Sequence, residues 1–274
     1  MFYCLNKYIT INIKILFCGI KLNMPILIGK LVSRSNKKKY LKIKRNQLLI
    51  LDALMEDGGI KKKYEDRKKL MRFSEHSGNL GVNESTIDRI IVSARTIRED
   101  ADDKDILLPH NLSDTYEYKY FFHTHPPTPY AGGRAKDGVI YEFPSISDIF
   151  HFIDHYNMGK TLGSIVVAPE GYYIIFPTDF SKKKISYDLE IEDDIFNEMT
   201  EGNNKIQEKA IEQYGVNFDA NFFYNNIITN KKYIKMFNEM VNKYLDGQVK
   251  IIYKHRSLDK LSGNWILKKL YLPI

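Results

Sequence analysis

The chain has 274 residues and a formal net charge of +7, with 43% hydrophobic and 27% charged residues. This composition excludes a disordered chain, and the length suffices for one ordinary domain with an extension or for two small domains. Cys4 and Cys18 are the only cysteines, so the rest of the chain can hold neither a disulfide framework nor a cysteine-based zinc site. This cysteine usage favours an intracellular location, cytoplasmic or nuclear.

Basic residues are concentrated near the N-terminus. Residues 30–72 hold 15 basic and 5 acidic side chains, whereas residues 73–274 hold 23 basic and 29 acidic ones. Most segments of this kind are solvated surfaces, but residues 30–72 could also bind an anionic partner, such as nucleic acid or an acidic protein face.

Residues 1–39 are predicted to form an N-terminal extension that is partly basic and either strand-like or disordered. Residues 8–20 are apolar, but Lys14 interrupts them and the run is too short for a spanning helix. A secretory signal would need a small-x-small cleavage site, and this segment has no clear one. We therefore expect no membrane span.

A strand and a helix are predicted after the extension. Residues 40–45 alternate in polarity, as a strand does. Asn46 is a suitable N-cap for a helix that continues to about Glu56, and Gly58-Gly59 is the expected end of that helix.

Residues 87–94 and 116–125 predict two further strands. The two-residue period of the second strand places His123 and His125 on one face. Three prolines then end that strand, because proline cannot continue a central ladder, and the loop 126–144 follows.

Ser145 is predicted to begin a helix that continues to about Asn157. Residues 164–168 are continuously apolar, which is typical of a strand buried on both faces, and residues 172–176 are its predicted partner. Residues 187–274 predict a mainly helical C-terminal extension. Two strand-like segments near its end could pair as a terminal hairpin, namely residues 249–254 and 265–272.

The histidine pair and the start of the following helix suggest a metal site. Imidazoles at His123 and His125 project the same way from a strand, which suits two nitrogen ligands on one zinc ion. Ser145-x-x-Asp148 is typical of a capping box, which needs no metal, but a cap also allows Asp148 to point at the histidines from the first helical turn. Taken alone, the histidine pair is equally compatible with two polar strand residues.

A second ligand set is present in the same helix. Asp148, His151 and His155 are spaced at i, i+3 and i+7, so they share one helical face. The strand pair is favoured over this set because Glu75 and the apolar strands can surround it. Glu75 is the candidate general base, although a lone glutamate is usually a surface carboxylate.

Three motifs occur in a fixed order: Glu-x-x-Gly-x-Leu from Glu75, His-Thr-His-Pro from His123, and Ser-x-x-Asp from Ser145. This set resembles the JAMM (MPN-plus) metalloprotease family, which includes deubiquitinating isopeptidases. The resemblance covers about residues 40–178 and implies that they form an α/β catalytic domain. The implied fold is MPN-like (cytidine-deaminase-like), with a mixed central sheet flanked by helices.

The resemblance also implies a role for each motif residue. His123, His125 and Asp148 would bind Zn²⁺. Glu75 would act as general base and then as general acid. Ser145 would donate a hydrogen bond to the developing oxyanion, assisted by the metal as a Lewis acid.

Two features depart from the family pattern. The spacer between His125 and Ser145 has 19 residues, which is longer than usual in the family, and the family's cysteine-bearing insert is not found. We therefore expect the loop 126–144 to lie over the cleft. Arg134 in this loop would contact a substrate backbone or carboxylate, or else would be an exposed loop arginine.

The sequence thus predicts a zinc-dependent isopeptidase or peptidase that removes ubiquitin or a ubiquitin-like modifier, or cuts a peptide. A hydrolase of the same fold acting on a small amide or a sulfur-carrier conjugate is also compatible. The alternative from another class is a noncatalytic MPN-type scaffold, or a protein associated with nucleic acid or another polyanion.

Overall fold

The computed structural model describes residues 10–11, 15–17, 20–22, 26–27, 40–62, 64–65, 69, 71–83, 86–96, 118–128, 130–159, 161–187 and 192–274. It contains two units, Met1–Lys38 and Lys39–Ile274. In the first unit, β1 (Thr10–Ile11) pairs with β4 (Ile26–Leu27), and β2 (Ile15–Phe17) pairs with β3 (Ile20–Leu22). The other residues of the predicted extension 1–39 lie outside the described part of the chain, so its strand-like or disordered character stays a prediction.

The second unit contains strands and helices in alternation. Its first half comprises β5 (Tyr40–Ile43), α1 (Arg45–Ile60), β6 (Tyr64–Glu65), β7 (Met71–Arg72), β8 (Glu75–Asn83), β9 (Thr86–Thr96), β10 (Tyr118–Thr124), a 3-10 helix (Gly133–Asp137) and α2 (Ile146–Asn157). Its second half comprises β11 (Gly163–Val167), β12 (Gly171–Pro177), α3 (Glu192–Tyr214), α4 (Ala220–Phe222), a π-helical segment (Phe223–Ile227), α5 (Lys231–Tyr244), β13 (Val249–His255), β14 (Ser257–Leu258), β15 (Trp265–Ile266) and β16 (Leu270–Pro273).

An eight-stranded sheet in the order β13-β12-β11-β10-β8-β9-β5-β16 forms the centre of this unit. The β10–β11 and β5–β9 pairs are parallel, and the other pairs are antiparallel. The prediction of a mixed α/β protein with a mixed central sheet flanked by helices is therefore confirmed. Among the described residues, no helix combines the length and the apolar character that crossing a membrane requires.

The two faces of the sheet bury two separate hydrophobic clusters. Leu48 and Leu51 of α1 pack with Phe122 on one face, whereas Phe121 lies on the other face with residues of α2, α3 and α5. Every residue of β11 is buried, which confirms the prediction of a strand covered on both faces. Because successive side chains of a strand alternate between faces, the position of Phe121 also decides which face His123 occupies.

Helix α1 differs from its prediction at both ends. It begins at Arg45 after Lys44 rather than after Asn46, and it continues through Gly58 and Gly59. A Cβ atom at Gly58 would lie 2.1 Å from the Ser74 carbonyl oxygen, and one at Gly59 would lie 2.4 Å from the Pro127 carbonyl oxygen. The glycines therefore do not end the helix; they let its last turn approach the segments that precede β8 and follow β10.

The predicted terminal hairpin between residues 249–254 and 265–272 does not form. Strand β13 instead pairs with β12, and β16 pairs with β5 at the opposite edge of the sheet. Only the short strands β14 and β15 pair with each other in this region. Sheet edges carry unpaired backbone donors and acceptors, and each segment satisfies one edge of the central sheet.

A buried ion pair connects α1 to the residue that follows β13. The Arg256 guanidinium lies 2.7 Å from a carboxylate oxygen of Asp52, and it also donates to the carbonyl oxygens of Ala168 and Pro169. Tyr172 donates a hydrogen bond of 2.6 Å to the same Asp52 oxygen. These contacts connect the helix to the turn between β11 and β12.

We expect Arg256→Ala to lower the free energy of unfolding by about 3–5 kcal/mol, because it leaves the Asp52 carboxylate buried without its cation. Chemical denaturation followed by circular dichroism measures this loss. Lys254→Ala, which changes an exposed cation on β13, is the control and is expected to stay within about 0.5 kcal/mol of the wild type. Equal losses in the two variants would contradict the structural role of the ion pair.

Candidate metal centre

Strand β10 brings the two predicted histidine ligands into the interior. His123 lies opposite Ser77 of β8 and Val166 of β11, so the strand that carries it is paired on both sides. His125 follows directly after the strand, and its backbone N–H donates to the Val167 carbonyl oxygen at 2.8 Å. Both imidazoles are buried, which fixes their positions more tightly than an exposed strand end would.

Asp148 reaches the histidines from the first turn of α2. Its backbone N–H donates to Ser145 Oγ at 3.1 Å, and the Ser145 backbone N–H donates to Asp148 Oδ2 at 2.7 Å. The predicted capping box is therefore formed. The positive end of the helix dipole also favours a carboxylate at this buried position. The cap and the approach of Asp148 to the histidines occur together, as the sequence allowed.

Three potential ligand atoms form a nearly equilateral triangle. His123 Nε2 lies 3.2 Å from His125 Nε2, and Asp148 Oδ2 lies 3.3 Å and 3.5 Å from these two nitrogens. Ligands about 2.0–2.1 Å from a tetrahedral zinc ion lie ~3.3 Å from one another. The edges of the triangle match this spacing, so the three residues could hold a metal ion. They form the one group of potential ligands among the described residues that meets this requirement.

The second nitrogen of each imidazole lies in a different environment. His125 Nδ1 lies 3.3 Å from the Glu142 carbonyl oxygen, which can accept a hydrogen bond from Nδ1–H and so leave Nε2 unprotonated and available as a ligand. His123 Nδ1 is buried and has no hydrogen-bond partner in the structure. The orientation of His125 therefore depends on the segment that contains Glu142, whereas packing orients His123.

The alternative ligand set on α2 is not assembled. The His151 and His155 rings lie 4.4 Å apart by their centroids, and both meet the edge of Phe121. The Asp148 carboxylate oxygen instead faces His123 and His125. Helical spacing places Asp148, His151 and His155 on one face, but the group of three whose ligand atoms converge among the described residues is His123, His125 and Asp148.

Glu75 lies at the start of β8, beside the strand that carries the histidines. Antiparallel pairing of His123 with Ser77 places residue 75 across from residue 125. Glu75 is half-buried and lines a cleft of about 1020 Å³ together with His125 and Ser145. The structure thus brings the predicted base to the same cleft as the metal-binding group and the predicted oxyanion donor.

The loop 126–144 forms part of the cleft wall, as expected. Arg134 lies in the 3-10 helix of this loop and also lines the cleft. Its guanidinium forms an ion pair with Glu142, with Nη1 2.8 Å from Oε2, and its side chain is 42% exposed. Arg134 therefore lines the cleft with its side chain positioned by the ion pair, and it is not an isolated surface arginine.

Another part of the cleft wall comes from α3, which the sequence did not connect with the site. The α3 residues that line the cleft are Asn203, Asn204, Gln207, Glu208 and Ile211. Their spacing places them on one face of the helix, but the same pattern occurs on any polar helix face. No feature of the sequence alone indicated that this face meets the cleft.

A buried carboxyl group lies next to the loop that supports His125. Glu170, in the turn between β11 and β12, is inaccessible to solvent and accepts a hydrogen bond of 2.7 Å from the Tyr173 hydroxyl. Burial, together with the negative charge of Glu142, raises the pKa of Glu170 to about 7. Nothing in the sequence singled out this group, because a glutamate before a glycine is typical of an exposed turn.

The fold and the site define a mixed α/β protein with a buried His-His-Asp group that could hold a metal ion. The chain is 33% identical over 277 residues to "Uncharacterized protein R413" of Acanthamoeba polyphaga mimivirus, and the alignment covers 98% of this chain and 71% of that protein. The chain belongs to the same family as R413. No protein-family model and no solved structure matches it significantly.

We expect the wild-type protein to bind about one Zn²⁺ per chain and Asp148→Asn to weaken that affinity more than about 100-fold. Loss of a direct ligand should exceed the 10–100-fold cost of losing an outer-shell partner. Competition with a chromophoric chelator measures the affinity. His151→Asn is the matched control and should bind normally. Because Asp148 belongs to both ligand sets, a loss of affinity in His151→Asn as large as that in Asp148→Asn would favour the α2 set.

We expect Glu170→Gln to stabilise the protein more at high pH than at low pH. The pKa of Glu170 is raised from 4.5 to about 7 in the folded state, so the folded protein binds the carboxyl proton more tightly than the unfolded chain does. The resulting stabilisation of the wild type is complete below about pH 4.5 and is lost as the pH rises through 7. The variant has no such loss, so its advantage in unfolding free energy should grow by roughly 2 kcal/mol between about pH 5 and pH 8. A constant difference across this range of denaturation experiments would show that Glu170 does not titrate as inferred.

Proposed function

We propose that this chain is a zinc-dependent isopeptidase or peptidase of the JAMM (MPN-plus) type. The observation that carries the proposal is the triangle of His123, His125 and Asp148 ligand atoms, with edges of 3.2–3.5 Å, beside a cleft that Glu75 also lines. Clustering three buried polar groups without a function would be costly, because each loses its hydration on folding. This cost argues for a ligand at the site.

The donor set and its surroundings favour zinc. Two imidazoles and one carboxylate are typical of catalytic zinc sites, but the same donors also hold non-haem iron. The candidate base Glu75 and the candidate oxyanion donor Ser145 line the same cleft, which fits the hydrolytic chemistry of zinc better than oxygen chemistry. When bound, zinc supplies Lewis-acid chemistry, polarising a carbonyl group and acidifying water.

The residues around the ligands have distinct roles in this proposal. Glu75 takes a proton from the attacking water and delivers it to the leaving amine. Ser145 donates a hydrogen bond from its hydroxyl to the developing oxyanion. Its Oγ accepts from the Asp148 N–H and lies 2.7 Å from Ser147 Oγ, so Ser147 must be the donor of that pair for the Ser145 hydroxyl to face the substrate. Arg134, held by Glu142, positions the backbone or a carboxylate of the substrate.

The order of elements supports an MPN-like fold for residues 40–178. The candidate base Glu75 lies on β8, which precedes β10 in the chain and pairs with it antiparallel. The candidate ligand Asp148 lies in the first turn of α2, and this helix is followed by β11, which pairs parallel with β10. The cleft volume of about 1020 Å³ leaves room for an extended peptide segment. Ubiquitin or a ubiquitin-like modifier is the substrate class that the sequence resemblance suggests.

A noncatalytic scaffold or a polyanion-binding protein fits these features less well. A scaffold would have no need for a base, an oxyanion donor and three ligands around one cleft. The basic segment 30–72, which motivates polyanion binding, includes residues 30–39 outside the described part of the chain. Steep weakening of nucleic-acid binding with added salt would be the evidence for that role.

We expect Glu75→Gln to abolish cleavage, with a loss of at least about 100-fold, while zinc binding and the fold are retained, because the amide cannot accept the proton. Cleavage of linked ubiquitin chains, ubiquitin-like fusions and short peptides should be measured with the zinc-loaded protein.

Glu212→Gln, which changes an exposed carboxylate of α3 that does not line the cleft, is the matched control and is expected to keep activity. Full activity of Glu75→Gln on a substrate that the wild type cleaves would exclude Glu75 as the base. Cleavage that is insensitive to metal chelation would contradict the metal-dependent mechanism as a whole.

A further inference from the structure

A buried glutamine of α3 holds the backbone of the loop that precedes α2. Gln207 Oε1 accepts from the Ile140 N–H at 3.0 Å and from the Tyr141 N–H at 3.3 Å. Gln207 Nε2 donates to the Tyr141 carbonyl oxygen at 2.7 Å. The side chain is 6% exposed, so these bonds form without competition from bulk water. One side chain thus fixes two consecutive residues of the loop.

The next residue of this loop contacts a candidate metal ligand. Glu142 follows Tyr141 directly, and its carbonyl oxygen lies 3.3 Å from His125 Nδ1. The partner of the non-ligating nitrogen sets both the tautomer and the ring orientation of a metal-binding histidine. Displacement of residues 140–142 would therefore move the acceptor that keeps His125 Nε2 in the ligand triangle.

We propose that Gln207 is a positioning residue for the metal centre, acting through the backbone of residues 140–142 on His125. This inference rests on the metal centre of the proposed function but not on peptidase activity. It also gives α3 a role at the site, since this helix supplies both a wall of the cleft and the support of a ligand. Partners of this kind contribute about 10–100-fold to metal affinity.

The test compares Gln207→Met and Gln207→Glu with the wild type. The first variant keeps the approximate shape of the side chain and loses all three hydrogen bonds, and the second keeps the acceptor and loses the donor. Gln213→Met is the control, because Gln213 lies on the same helix and accepts a hydrogen bond of 2.7 Å from the Tyr233 hydroxyl rather than from the backbone of residues 140–142. Zinc affinity is measured by chelator competition, and the visible spectrum of the Co²⁺-loaded protein reports coordination geometry.

We expect Gln207→Met to bind zinc about 10–100-fold more weakly and to change the Co²⁺ spectrum, whereas Gln213→Met matches the wild type. If Gln207→Met fails to fold, the same two measurements on Gln207→Glu decide, with a smaller loss expected. A folded Gln207 variant with wild-type affinity and spectrum would overturn the positioning role alone. Failure of the wild-type protein to bind zinc would overturn the metal centre itself, and the proposed function with it.

Discussion

The candidate site depends on the contacts of the Asp148 carboxylate with the start of α2 and with the two strand histidines. It caps α2 through the Ser145 N–H, and the same oxygen lies within 3.5 Å of two imidazole nitrogens. A buried carboxylate needs such partners because its desolvation is costly. The Asp148 carboxylate therefore belongs both to the cap at the start of α2 and to the ligand triangle beside β10.

Several elements surround the site. The central strand β10 fixes the histidines, α1 approaches the segments before β8 and after β10 through Gly58 and Gly59, and α3 supplies part of the cleft wall. The Asp52–Arg256 ion pair joins α1 to the turn that contains Glu170. The elements around the site thus come from most of the second unit, although the three motifs cover only a short part of the chain.

The sequence predicted those parts of the site that depend on local patterns. Period-two alternation placed His123 and His125 on one face, and the Ser-x-x-Asp pattern predicted the cap at Ser145; the structure has both. The sequence could not exclude the set of Asp148, His151 and His155, because helical and strand spacing each placed potential ligands together. The resemblance to the JAMM family, and the catalytic roles that follow from it, stay predictions.

Sequence by itself determined the alternation of elements, the strand buried on both faces and the residue types able to bind a metal, since each follows from neighbours a few positions apart. Only the tertiary structure decided which histidines Asp148 faces, where residues 249–254 and 265–272 pair, and how Gln207 reaches the loop before α2. Those outcomes depend on contacts between residues far apart in the chain. Such contacts are selected by burial and by the pairing of backbone groups at sheet edges, which no local pattern encodes.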